Sequence, residues 1–160
     1  AHGRAADATA VADMSADYLL HVAVESTLFP DVLPVLTGLT EQGWHLAVCT
    51  NKPEQAARRL LDAVGLLPLL SAVGGGDSFP ARKPDPLHLL GTLTLAGGQA
   101  SAAVMVGDHR NDVQAARGAG IPSIFAAWGY ATIDPGEANA VARDVAEAAA
   151  IANRILPAAG

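Results

Sequence analysis

A doubly wound, Rossmann-type α/β fold around a parallel sheet is what this sequence predicts, and two observations predict it. Short apolar runs, Trp44 to Thr50, Ser71 to Gly75, Ala103 to Val106 and Pro122 to Ala127, lack polar alternation, as strands buried on both faces do. Segments of helical period separate them, and this strand-helix alternation implies helices covering both sides of the sheet. With 160 residues, the chain is the size of one domain.

The first element is a helix. Val11, Met14, Tyr18 and Val22 recur at spacings of three and four between Asp7, Asp13 and Asp17, so it is expected from Ala5 to Ala23. Asp31 then serves as N-cap for a helix with Val32, Leu36 and Leu39 on one face, stopped at Gly43. After the first apolar run, Asn51-Lys52-Pro53 opens another helix, with Pro53 at its first position and Gly65 closing it. Gly74-Gly75-Gly76, with Pro80, Pro84 and Pro86, marks a long loop, and a helix from about Pro86 to Ala96 leads to the third run. Gly107-Asp108 introduces a helix over Asn111 to Arg117, and Gly118 and Gly120 precede the fourth run. Ala138 to Leu156 is Ala-rich and reads as mostly helical, with a short strand near Val145.

A net charge of −6, with ten basic residues dispersed along the chain, excludes the basic footprint of a nucleic-acid or lipid-surface binder. No run approaches the ~20 apolar residues that cross a bilayer. The single cysteine, Cys49, has no internal disulfide partner, and no Cys/His spacing suggests zinc. With no apolar leader at the start, a cytoplasmic location is expected.

Ligands of open parallel sheets bind at the carboxyl ends of the strands, so the residues at the end of each run are the first candidates for a site. The first run ends in Thr50-Asn51, the loop after the second carries Lys83, and the third ends in Gly107-Asp108 with Asp112 four residues on. A hydroxyl, an ammonium and two carboxylates on one rim suit a phosphoryl group with magnesium. Each residue also has an ordinary reading. Most lysines are solvated, but Lys52 and Lys83 are the only two here, against eight arginines, and both precede proline. Asp108 also suits a helix N-cap and Asp112 a first-turn acid. Cys49 reads as an inert strand residue, His109 equally as a residue that approaches substrate or as an exposed loop residue, and His21, His45 and His88 form no ligand spacing.

The segments Leu28-Phe29-Pro30-Asp31-Val32, Val48-Cys49-Thr50-Asn51-Lys52-Pro53, Arg82-Lys83-Pro84 and Val106-Gly107-Asp108-His109-Arg110-Asn111-Asp112 resemble those of haloacid dehalogenase (HAD) superfamily hydrolases, phosphoglycolate phosphatases above all. The ordered likeness runs from about Leu28 to Tyr130. It implies a HAD-like core with a remnant of a helical cap, residues 1–28 being the remnant and 29–160 the core. It also implies Mg2+-dependent hydrolysis of a small phosphorylated metabolite through an aspartyl-phosphate. Thr50 and Lys83 would be catalytic, Thr50, Asn51 and Lys83 would bind the phosphoryl group, and Asp108 and Asp112 would hold the metal, Asp112 alternatively orienting Lys83.

The family's nucleophile and acid/base partner form an Asp-x-Asp motif after the first strand, and this chain contains no Asp-x-Asp. The expectation is therefore a core lacking its first, central strand, with little or no turnover from this chain alone. Such an opening in the sheet would invite self-association or a complementing chain. A non-catalytic fragment, or a phosphatase or phosphomutase for another sugar phosphate, are the alternatives. A metal-free dehalogenase is disfavoured because two acids at one position would repel an anionic substrate. A receiver domain is disfavoured because its acids precede its Thr and Lys.

Overall fold

The computed structural model describes residues 9–13, 31–128 and 137–157. A six-stranded sheet runs in the order β3-β2-β1-β4-β5-β6, built from β1 (Thr9–Asp13), β2 (His45–Cys49), β3 (Leu70–Gly74), β4 (Ala103–Gly107), β5 (Ser123–Ala126) and β6 (Ala140–Ala142). Every neighbouring pair is parallel. Five α-helices accompany it among the described residues: α1 (Val32–Glu41), α2 (Glu54–Ala63), α3 (Pro86–Leu95), α4 (Arg110–Ala119) and α5 (Val145–Ile155). None of the described helices is long and apolar enough to cross a membrane.

Successive strand residues point to opposite faces, and the two cores record that alternation. Leu46, Val48 and Val104 join Leu36 and Leu39 of α1, Leu60 and Leu61 of α2 and Ile151 of α5 in one cluster. Cys49, Ala103 and Met105 face the other way, onto Leu89 and Leu93 of α3 and Ala115 and Ala116 of α4. Each such leucine contributes about 1.5–3 kcal/mol when fully buried. Trp44, at the entry to β2, also donates its indole N–H to Asn153 Oδ1 of α5 at 3.0 Å.

Three expectations are corrected. The centre of the sheet is filled: β1 pairs with β2 on one side and β4 on the other, Val11 standing opposite both Ala47 and Met105. Residues 9–13 therefore belong to the core sheet rather than to a cap helix. Val11 shares a three-and-four spacing with Met14, Tyr18 and Val22, but backbone pairing on both edges makes residues 9–13 a strand. The rest of the predicted 5–23 helix lies outside the described residues. Near the carboxyl end, the strand is residues 140–142, and Val145 begins a helix instead, because Asp144 accepts the Glu147 N–H at 2.7 Å as its N-cap. Asp31 and Pro53 also differ in detail. Asp31 occupies the N-cap position of α1 without a side-chain capping bond, and Pro53 precedes α2 as its N-cap.

Candidate active site

The strand order reverses between β1 and β4, the crevice position where doubly wound sheets bind ligands. Around it the carboxyl ends present Thr50 after β2, Asp13 at the end of β1 and Asp108 after β4. Asp13 is in register with Gly107, so the backbone places it beside the residue that precedes Asp108. Thr50, Lys83, Asp108 and Asp112 are all buried, between 1% and 5% exposed. Four polar residues withdrawn from solvent at one rim call for mutual compensation.

Lys83 receives most of it. Its Nζ donates to Asp112 Oδ1 at 2.7 Å and to the Cys49 carbonyl at 2.7 Å. Its main chain is held equally firmly. Asn51 Nδ2 donates to the Lys83 carbonyl at 3.0 Å, and the Lys83 N–H is shared between Asn51 Oδ1 and His88 Nδ1, both at 3.1 Å. Burial pushes the ammonium below the ordinary lysine range, while the charge and hydrogen bond of Asp112, and the charge of Asp108, draw it back up. The ion pair is thus what keeps a desolvated cation in place.

The loop that carries Lys83 is pressed against the turn that carries Thr50 and Asn51. A Cβ on Gly75 would strike the backbone of Glu54, and one on Gly76 the carbonyl of Asn51. Gly76 N–H in turn donates to the Lys52 carbonyl at 2.7 Å. Gly75 and Gly76 therefore mark a close approach of two functional loops. Thr50 is fixed through its N–H to the Gly74 carbonyl at 2.9 Å, and its Oγ1 accepts the Lys52 N–H at 3.2 Å. Asn51, expected to offer a backbone donor to a substrate, uses its side-chain amide to hold the Lys83 main chain.

The turn after β4 is organised by its own residues. His109, not Asp108, is the N-cap of α4: its Nδ1 accepts the Asn111 N–H at 3.1 Å, and Asp112 Oδ2 reaches back to the His109 N–H at 3.0 Å. That reciprocal pair is a capping box. A Cβ on Gly107 would collide with the Asp112 side chain, so glycine is what lets the carboxylate fold back beneath the strand end and meet Lys83. Asp108, which follows β4, is buried beside this turn.

Magnesium fits the donor chemistry. Asp108 and Asp112 supply hard oxygens, the ligands Mg2+ prefers. No group of three His, Cys, Asp or Glu able to hold a metal is gathered among the described residues. Mg2+ asks for less, since it is commonly held by one or two carboxylates with water and substrate phosphate completing the octahedron. On the far side of β2, burial pushes the Cys49 thiol up to about 12, a hydrogen bond with Thr92 opposing and Asp112 adding to it, so Cys49 is not a nucleophile.

His88 is the residue that sequence spacing missed. It is fully buried on the first turn of α3, and its partner, Lys83 N–H, lies outside any ligand-spacing rule. The signal available in sequence was only a polar residue in the apolar run Pro86 to Leu90.

A family model for haloacid dehalogenase-like hydrolases matches residues 2–120. A phosphoglycolate phosphatase of Caulobacter vibrioides is 46% identical over 113 residues, covering 71% of this chain and 48% of that protein. The phosphoglycolate phosphatase of Agrobacterium fabrum is 43% identical over 116 residues, covering 72% and 50%. This chain thus spans about half the length of the curated relatives it matches. In three dimensions it resembles a crystal structure described as a predicted phosphoglycolate phosphatase from Haemophilus somnus 129pt, with a TM-score of 0.72 and 33% identity, over 78% of this chain and 56% of that one. Since the matched residues extend from the first strand through the Lys83 loop to the end of α4, fold and site fall within one likeness, and the chain belongs to the haloacid dehalogenase-like hydrolases.

Proposed function

We propose that this chain is the phosphoryl-binding core of a Mg2+-dependent phosphatase of the phosphoglycolate type, acting on a small phosphorylated metabolite. The observation that carries the reading is the buried Lys83–Asp112 pair, at 2.7 Å, set at the sheet's switch point between Thr50 and Asp108. Thr50 accepts a backbone bond with Oγ1, which leaves its O–H to donate to a phosphoryl oxygen. Lys83 neutralises charge as it develops on that group, and Asn51 adds a backbone donor at the same rim. Asp108, with Asp112 behind it, would hold the Mg2+, whose chemistry is to neutralise and orient the phosphoryl oxygens. The likeness to phosphoglycolate phosphatases supports the substrate class.

The hydrolytic cycle of the family needs two carboxylates at the end of the central strand, one to accept the phosphoryl group and one to move protons. Asp13 ends β1, but Met14 and Ser15 come next, so no carboxylate stands two residues on. This chain alone should therefore bind phosphate and turn over little or none of it. Calorimetric titration with Mg2+ and orthophosphate, beside hydrolysis of 2-phosphoglycolate by a preparation of verified intact mass, tests both halves. Heat from both ligands, that of orthophosphate lost in Lys83→Ala, and negligible hydrolysis are expected. No heat at millimolar ligand sinks the phosphoryl site, and Mg2+-dependent turnover by the 160 residues sinks the second half.

A further inference from the structure

We propose that His88 is a positioning residue for Lys83, holding the lysine main chain through Nδ1 as a neutral imidazole protonated on Nε2. The functional part of this inference rests on the phosphoryl site described above, and the tautomer does not.

The geometry fixes the tautomer. Lys83 N–H can only donate, and His88 Nδ1 lies 3.1 Å from it, so Nδ1 must accept and the ring proton resides on Nε2. The contact between residues 83 and 88 is built by the turn between them. Asp85 N–H donates to the Arg82 carbonyl at 2.8 Å, and Asp85 Oδ1 accepts the Leu87 N–H at 2.9 Å as the N-cap of α3. The helix therefore starts folded back over the lysine, and its first turn delivers the imidazole to residue 83.

The surroundings keep the ring neutral. Burial opposes a second proton most, and the positive charges of Lys83 and Arg82 oppose it further, while the backbone of Gly74 and Gly75 favours it. Phe79 closes the outer side, its ring centroid 5.9 Å from that of His88. Gly91 makes room for Phe79, since a Cβ there would strike its ring. A solvated histidine would exchange tautomers and protons freely. This one is enclosed for a single role.

The role matters because a lysine side chain has four rotatable bonds, and Nζ is placed only if the main chain from which it starts is placed. Asn51 fixes that main chain at the carbonyl and shares the N–H, and His88 holds the N–H from the helix side. A small displacement of a positioned group is enough to cost a site most of its advantage. Loss of His88 should therefore loosen Lys83 without touching the metal carboxylates.

The test uses the whole chain, 15N-labelled. A long-range 1H–15N correlation of the His88 ring should show the neutral Nε2–H form at neutral pH, and an Nδ1-protonated or doubly protonated ring there would overturn the proposal. Calorimetry of His88→Ala should show orthophosphate binding weakened about ten-fold with Mg2+ affinity unchanged. His88→Asn, whose Oδ1 takes the place of Nδ1, should recover most of the loss. Thermal unfolding of both variants separates positioning from stability. If the two are equally destabilised and equally impaired for phosphate, or if His88→Ala binds phosphate as the unmodified chain does, the positioning role is refuted. If the unmodified chain binds no phosphate, the phosphatase reading fails while the tautomer still stands or falls on the spectrum.

Discussion

The two loops that bring charge to the rim are built on opposite plans. The turn after β4 is held by its own neighbours: Asp112 caps His109 three residues away, and His109 caps Asn111. The loop after β3 is held by strangers. Lys83 is bonded to Cys49, Asn51 and Asp112, each about thirty positions away in sequence, and His88 is a partner near it in the chain. The acidic turn can form as a unit with its helix, whereas the lysine loop acquires its shape only when the sheet is assembled. The ion pair between Lys83 and Asp112 joins the two plans, so the consequences of cutting it should be the largest.

Replacing Asp112 with Ala leaves a desolvated ammonium beside a carbonyl and should cost about 3–5 kcal/mol in denaturant unfolding. Lys83→Met, which removes the cation but keeps an apolar stem, should cost less than that. The double variant should be more stable than the sum of the two losses implies, because each single change strands a charge that the double change removes. Additive losses would mean that the loops are held independently. Gly107→Ala should approach the effect of Asp112→Ala, since its Cβ displaces the same carboxylate.

Cys49 sharpens the comparison from the other face of β2. Its thiol titrates at about 12 in the fold, against 9.0 for an unperturbed thiol. Above about pH 9 the unfolded chain sheds this proton and the folded chain retains it, so stability falls as pH rises. Relative to Cys49→Ala, the unmodified protein should lose about 1.4 kcal/mol per pH unit between about 9 and about 12. A difference that stays flat with pH would show the thiol to be accessible. Next in size comes Asn51→Ala, which removes both side-chain bonds to the Lys83 backbone and should cost about 1–2 kcal/mol, with phosphate affinity falling alongside. Unchanged phosphate affinity would leave Lys83 held by His88 and Asp112 alone.

The same division explains what could be read from the sequence. Helices with an unbroken period were legible, and Val32, Leu36 and Leu39 are buried in α1 as their spacing requires. Thr50, Lys83, Asp108 and Asp112 were found because each comes after an apolar run and all carry polar chemistry. Their partners were not. Nothing in Asn51 announces that its amide will clasp a backbone 32 positions on, and nothing in His88 tells whether its ring serves a metal, a substrate or an amide. β1 was misread for a related reason. Thr9 to Asp13 has no long apolar run to mark it, and what makes it a strand is pairing to residues 36 and 94 positions away. Local period and capping were visible in one dimension, and sites assembled by the sheet were not.

The smallest effect belongs to the loop that depends least on the rest. His109→Ala removes a side-chain cap from α4 and should cost about 0.5–1 kcal/mol. His109→Asn should restore it, because Asn presents an oxygen to the same backbone N–H. In both variants Asp112 still receives the backbone N–H of residue 109 through Oδ2 and still meets Lys83 through Oδ1, so orthophosphate affinity should stay within about two-fold of the unmodified chain, a change of about 0.4 kcal/mol. A large loss of phosphate binding in His109→Ala, with stability barely changed, would show that the acidic turn also needs its exposed imidazole at the rim, and the contrast between a self-held loop and an assembled one would fail at that point.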